Sequence, residues 1–173
     1  MHNEARLANL LGAAALHVSE TMLAQVRAAS GTSTSGAAAL VVLAHLRQLS
    51  VTELGRGIGL SQPAAARMVD SLVASGLVRR LAGSGRTVPV ELTDAGREVV
   101  REVLDVRAAE LSALIADLDE PERRTLSALL EKLLTGMYDE AGSSTFLCRL
   151  CDRHSCTESD TCPVGQAERT RRA

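Results

Sequence analysis

Residues 50–97, SVTELGRGIGLSQPAAARMVDSLVASGLVRRLAGSGRTVPVELTDAGR, change local period three times. Ser50-Val51-Thr52-Glu53 has the form of a capping box, in which the serine side chain and the glutamate satisfy two orphan amide donors, so a helix starts here. It cannot run far, because Gly55, Gly57 and Gly59 each cost about 1 kcal/mol against alanine in a helix interior, and Gly57-Ile58-Gly59 reads as a turn. Leu60-Ser61 opens a second helix, with Ser61 as its cap and Pro63 in the first turn, where a missing amide hydrogen does no harm. Gly76 closes it. Alternating residues 77–81 and 87–92 around the glycine-bearing tip Gly83-Ser84-Gly85 predict a β-hairpin, and Thr93-Asp94 caps the next helix. Helix, turn, helix and hairpin in this order predict a winged helix-turn-helix, whose second helix, residues 61–75, is shaped to enter a DNA major groove.

On a helical wheel Ala65, Val69, Leu72 and Val73 share one face of that second helix, while Ala64, Arg67 and Ser71 lie opposite. The apolar face can pack on the domain and leave the other for duplex DNA. Candidate contacts are Ser61, Gln62, Ala64, Arg67 and Ser71, with Arg67 able to bind a guanine edge or a phosphate beside small neighbours that permit close approach. Arg86 at the hairpin tip is the candidate for a minor-groove contact. Taken singly, Arg67 reads equally as a surface arginine and Arg86 as part of an exposed turn. From Arg56 to Arg86 five arginines stand against one acid, Asp70, in a chain whose formal net charge is −2. The basic segment is local, where a DNA contact would need it.

Outside this stretch, residues 4–29 repeat Leu7, Leu10, Leu11, Ala14, Val18, Met22 and Val26 at three- and four-residue steps, the spacing of an amphipathic helix. Ser30 to Gly36 form a linker rich in Ser, Thr and Gly, and residues 37–49 resume as a strongly apolar helix. A long helix follows Thr93 as far as about Leu118, and Asp119-Glu120-Pro121-Glu122 is a second capping box before a helix with Leu126, Leu129, Leu130, Leu133, Leu134 and Met137 on one side. The expected fold is mainly α with a small β-hairpin wing. Its parts are an N-terminal dimerisation helix and linker (1–36), a winged helix-turn-helix (37–97), C-terminal dimerisation helices (98–141) and a four-cysteine tail (142–173).

Leu60-Ser61-Gln62-Pro63-Ala64, Arg67-Met68-Val69-Asp70, Gly76-Leu77-Val78-Arg79-Arg80 and Arg86 ahead of Leu92-Thr93-Asp94-Ala95-Gly96 resemble the MarR (multiple antibiotic resistance regulator) family. The resemblance spans roughly residues 5–140 and is specific over 54–97. It implies a homodimer whose terminal helices intertwine, two winged lobes reading a near-palindromic duplex site, and a transcription regulator, usually a repressor. The long helices carry more apolar surface than one small lobe needs, as a partner chain would require. Where the family usually has an aspartate two residues before the wing arginine, this sequence has Ser84, which removes an acidic support for Arg86. In many relatives a small ligand binds between the dimerisation and DNA lobes, but this chain offers few polar or aromatic groups to recognise one, and the sequence names no effector.

The composition excludes other classes. No apolar run approaches the roughly 20 residues of a membrane span, and Glu4 and Arg6 interrupt any leader pattern, so a cytoplasmic protein without a membrane segment is expected. Tyr138 and Phe146 are the only aromatics of 173 residues, too few to form a stacking platform for unpaired bases.

The spacing Cys148-x2-Cys151-x4-Cys156-x5-Cys162 gathers every cysteine into one short segment. Four thiolates so spaced can wrap a tetrahedral ion, and the arrangement resembles a zinc knuckle with cysteine in place of its histidine. Zinc is the first expectation. A [4Fe–4S] cluster is the second, since compact four-cysteine loops also hold cubanes and Cys162-Pro163 matches the Cys-Pro ending of ferredoxin ligand runs. A thiol–disulfide switch is the third. Binding would order a tail too polar to fold without it, and is a candidate entry point for a metal or redox signal. His17 and His45 read as packed residues of apolar helices and His154 as a solvated loop residue. No catalytic arrangement is evident, because four thiolates leave a metal no open position. The alternative to a DNA-binding regulator is a protein-interaction module that combines a winged scaffold with a structural zinc knuckle.

Overall fold

The structure is a computed structural model that describes residues 2–82, 88–141, 143–158 and 160–172. Its elements run α1 (His2–Ser30), α2 (Thr34–Leu46), β1 (Leu49–Ser50), α3 (Val51–Gly57), α4 (Gln62–Ala74), β2 (Val78–Arg80), β3 (Pro89–Leu92), α5 (Asp94–Leu114), α6 (Glu120–Ala141), α7 (Ser144–Leu147), α8 (Arg153–Thr157) and α9 (Pro163–Arg172).

Capping decides several boundaries. Helix α2 starts at Thr34, three residues earlier than its apolar run, because the Ser33 side chain accepts the Gly36 amide at 3.1 Å. Both halves of the predicted box at α3 are present: the Ser50 amide donates to Glu53 Oε2 at 2.9 Å and the Glu53 amide to Ser50 Oγ at 3.2 Å. The second box closes in the same way, with reciprocal bonds of 2.9 Å between Asp119 and Glu122. Helix α5 ends at Leu114 rather than near 118, in a looser turn that leads to that box.

The wing is a three-stranded antiparallel sheet in the order β1-β3-β2, pairing Leu49 with Val90 and Val78 with Leu92. Strand β1 was not anticipated, since two residues are too few to show a period. Beneath the sheet, Leu40, Leu43, Leu54, Val69, Leu72, Val78, Val90 and Val103 are fully buried in a core that α2 crosses along its length. Gly55 does not end α3. It lies inside the helix because a Cβ there would stand 2.6 Å from Ala65 Cβ, so α3 and α4 cross at contact distance only over glycine. Gly96 is fixed just as firmly, its Cβ position lying 2.0 Å from the Leu77 carbonyl oxygen. Thr93 accepts the Gly96 amide at 3.0 Å and donates to the Gly76 carbonyl at 2.7 Å, tying the end of α4 to the start of α5.

Helix α1 packs along α5, and α6 carries α7 and α9. Leu7, Leu10, Leu11 and Leu16 on α1 and Leu129, Leu130, Leu133 and Met137 on α6 face solvent in the single chain. By length and composition alone the stretch Asn3–Ser30 would suffice to cross a membrane, which the expectation of no such run did not foresee. The excess arises because alanines fill the gaps between its leucines, whereas Glu4, Arg6, Glu20 and Arg27 interrupt it.

Candidate functional site

Two arrangements stand out: the outer face of α4 and the cysteine segment. In α4, Ala65, Val69 and Leu72 are buried and Met68 is partly buried against the core. Val73, assigned from the wheel to the inner face, is 36% exposed, because it sits about 100° round the helix from the fully buried Leu72, at the edge of that face. Arg67 and Ser71 are exposed and Ala64 half-buried on the outward side, and Ser61 and Gln62 are exposed at the N-terminal end of the helix. Ser61 occupies the N-cap position, but its side chain makes no capping bond, contrary to the expected role. Its backbone carbonyl accepts the Ala65 amide at 2.9 Å, which leaves the hydroxyl uncommitted to the helix.

At the base of the wing, Arg80 pairs with Asp70 at 2.7 Å and Arg79 Nε donates to Glu91 Oε1 at 2.7 Å. The Arg79 hydrogen bond, then that from Gln48, holds the Glu91 carboxyl below the usual carboxylate range. Two of the arginines counted in the basic segment are therefore matched by acids, and Arg56 and Arg67 stand exposed on α3 and α4. Arg86 and the neighbouring Ser84 lie outside the described residues.

The cysteine segment does not trail into solvent. Helices α7 and α9 lie against the body, with α7 on α3 and both on α6, and Leu150 and Val164 are buried. Cys148, Cys151, Cys156 and Cys162 are each half-buried free thiols that border two cavities, of about 40 and about 290 Å³. The thiols interact with one another. A hydrogen bond from Cys151 pulls the Cys148 thiol below the usual cysteine range, the same bond and burial push Cys151 far above it, and burial pushes Cys156 up to about 11. Among the described residues no three His, Cys, Asp or Glu side chains are already set to hold a metal ion. The neighbourhood nonetheless suits an anionic centre: Arg107 of α5 favours thiolate at Cys151, and its buried Nε has no hydrogen-bond partner. A buried donor of this kind is costly unless an acceptor reaches it, and a thiolate is one such acceptor.

The segment also touches the helix-turn-helix. His45 Nε2 of α2 lies 3.1 Å from the Cys151 carbonyl oxygen, in keeping with a packed histidine. A Cβ at Gly57 would stand 3.0 Å from Thr145 Cγ2, and one at Gly59 2.6 Å from the Phe146 ring. The Arg149 guanidinium stacks over that ring at 4.3 Å from its centroid. His154 is exposed, on α8 rather than in a loop.

Comparison with known proteins gives this geometry a family. The MarR family model matches residues 30–86, from the end of α1 into the wing. The MarR family protein RV2887 of Mycobacterium tuberculosis, solved in complex with salicylic acid, is 30% identical, with 71% of this chain and 95% of that one covered and a TM-score of 0.54. The chain belongs to the MarR family. A MarR family transcriptional regulator from Silicibacter pomeroyi is likewise 30% identical over 69% of this chain and 84% of its own, with a TM-score of 0.55. An uncharacterised HTH-type transcriptional regulator of Bacillus subtilis, YdgJ, is 26% identical over 67% and 72%. MarR-family members are DNA-binding transcription regulators rather than enzymes, and they bind DNA as dimers.

Within this MarR-family chain, the α4 face was legible from periodicity, but Arg107, Thr145 and Phe146 were not singled out. Arg107 reads in sequence as one more charge on a long helix. Phe146 had a signal, as one of only two aromatics and two residues before the first cysteine, but its partner Gly59 is remote in sequence.

Proposed function

We propose that the chain is a repressor that reads a near-palindromic duplex as a homodimer and carries a metal centre on its four cysteines. The carrying observation for DNA reading is the outward face of α4, where Arg67 and Ser71 are exposed opposite the buried Ala65, Val69 and Leu72, with Ser61 and Gln62 exposed at the helix N-terminus. Such a face places one guanidinium among small side chains that let the helix approach base edges. Arg86, between β2 and β3 in the sequence, supplies the second contact. The exposed leucines of α1 and α6 are the surface for the second copy, each worth about 1.5–3 kcal/mol when fully covered. A dimer seated on a promoter excludes other proteins from it, which is repression. Support for the metal centre comes from the chemistry of four adjoining thiols beside an orphaned guanidinium donor. Zinc is its first occupant and a [4Fe–4S] cluster its second.

The test is titration of Arg67→Ala and the parent protein against duplexes with inverted half-sites about one helical turn apart, at several salt concentrations. The parent should bind with strong salt dependence, and Arg67→Ala should lose about 1–3 kcal/mol while remaining dimeric. An Arg67→Ala protein with unchanged duplex affinity would refute this reading and favour a protein partner for the winged face.

A further inference from the structure

The cysteine segment meets the molecule on two sides. On one, the four thiols share a cavity with Arg107 of α5 and Met22 of α1, the long-helix frame. On the other, Cys148, four residues past Ser144, continues from α7, whose Thr145 and Phe146 press on Gly57 and Gly59 in the turn that aims α4. Gly59 has φ +76°, so that turn is already specialised to glycine, and the ring occupies the space a side chain would take. Between these sides, the Cys151 carbonyl meets His45 of α2.

We infer that the cysteine segment is a ligand-dependent strut: a metal centre bound by its four thiolates holds Phe146 and Thr145 against the Gly57–Gly59 turn and so sets the DNA affinity of α4. This rests on the reading that the four cysteines take a metal. Among its described residues only Leu150 and Val164 are buried, and the rest of the segment is held by partly exposed contacts such as His45 with the Cys151 carbonyl and Arg171 with Asp139, so a bound ion would add to a modest hold. When a divalent ion binds, each coordinating thiol releases its proton to solvent, the thiolates close on the ion, and Arg107 compensates the surplus negative charge. Phe146 lies only two residues from Cys148, so this closure restrains the ring directly. The ring then restrains the turn, because it lies against Gly59 and is itself covered by the Arg149 guanidinium. The coupling belongs to a two-state element, segment docked or segment loosened, whose balance both the metal and the DNA shift.

The experiment uses the reduced, chelator-stripped full-length protein with Zn(II) as the probe. Competition with a chromophoric chelator measures zinc binding without DNA, and titration of a duplex selected from a random library by the zinc-loaded protein measures DNA affinity. One zinc per chain is expected, with duplex affinity changing about 5- to 150-fold between stripped and loaded protein. Hydrogen exchange at residues 51–62 should slow on loading. In Phe146→Ala zinc should bind with the same stoichiometry, while the zinc-dependent change in duplex affinity falls below about twofold; Phe146→Leu should restore part of it. Arg107→Gln should weaken zinc binding about 10- to 100-fold. A Phe146→Ala protein that keeps the full zinc dependence, or a parent that binds zinc with no change in duplex affinity or exchange, would overturn the strut. A parent that binds no zinc at all would overturn the four-thiolate reading as well, and the chelator competition identifies that outcome separately.

Discussion

In the winged lobe Leu40, Leu43, Leu54, Val69, Leu72, Val78 and Val90 are almost wholly buried, whereas among the described residues of 143–172 only Leu150 and Val164 reach that state. The lobe is held by its own apolar contacts, and the structure of its turns follows from helix caps and glycines within it. The cysteine segment is built on contacts with other elements: Leu150 joins the main core, α9 lies on α6, and Phe146 lies on the turn before α4. Arg171 pairs with Asp139 of α6 at 2.7 Å on the exposed side. A region with so little apolar surface of its own depends on what it docks against.

The widest gap between the two regions should appear on truncating a buried side chain in each. Leu72→Ala should cost about 2–5 kcal/mol and shift the main urea transition, since Leu72 is fully enclosed by the lobe core. Val164→Ala should leave that transition nearly in place and speed hydrogen exchange in α7–α9 instead. Equal shifts for the two variants would show that lobe and segment unfold as one unit and would erase the distinction.

A smaller effect sharpens the junction. Gly59 and Gly76 both have positive φ, +76° and +71°, so alanine at either should cost about 1–2 kcal/mol in backbone strain. At Gly76 a methyl group would meet open space, but at Gly59 it would meet Phe146. Gly59→Ala should therefore be the more destabilising of the two in thermal unfolding, and the excess should vanish in a Phe146→Ala background. An excess that survives there would mean that ring and turn are not coupled.

The smallest expected change lies at α3. Hydrogen bonds from the Ser50 side chain and then the Ser50 amide hold the Glu53 carboxyl below its ordinary range. A folded-state value lower than the unfolded one gives stability that is complete above the unfolded value and is lost as pH falls through the folded one. Glu53→Gln should flatten the acid limb of the stability profile below about pH 4.5 and leave neutral-pH duplex binding unchanged. An unaltered acid limb would show that the box contributes nothing to the lobe.

Much of the lobe was legible because its signals are local. The Ser50–Glu53 box, the Gly57–Gly59 turn, the Gly76 stop and the inward triplet Ala65, Val69 and Leu72 all depend on neighbours within a turn or two of helix. The places that differed depend on distant partners. Ser61 kept its position but not its capping bond, Gly55 proved to be a crossing point with Ala65, and Val73 at the edge of the apolar face was left uncovered by the neighbouring elements. Strand β1 exists because β3 returns beside it from some forty residues onward, a pairing that no short window contains.

The four cysteines show the same division. Their number, spacing and chemistry were plain from the chain, because ligand type and separation are properties of the primary structure. Their position against the helix-turn-helix was not, since it depends on α7 folding back across the molecule to set Phe146 on a glycine 87 positions earlier and on Arg107 arriving from α5 with an unsatisfied donor. Local hydrogen bonding and side-chain periodicity are written in short stretches of residues and therefore fix the DNA-reading lobe. Which surfaces meet is set by long-range packing, and that packing is what sets the cysteine segment against the turn before α4.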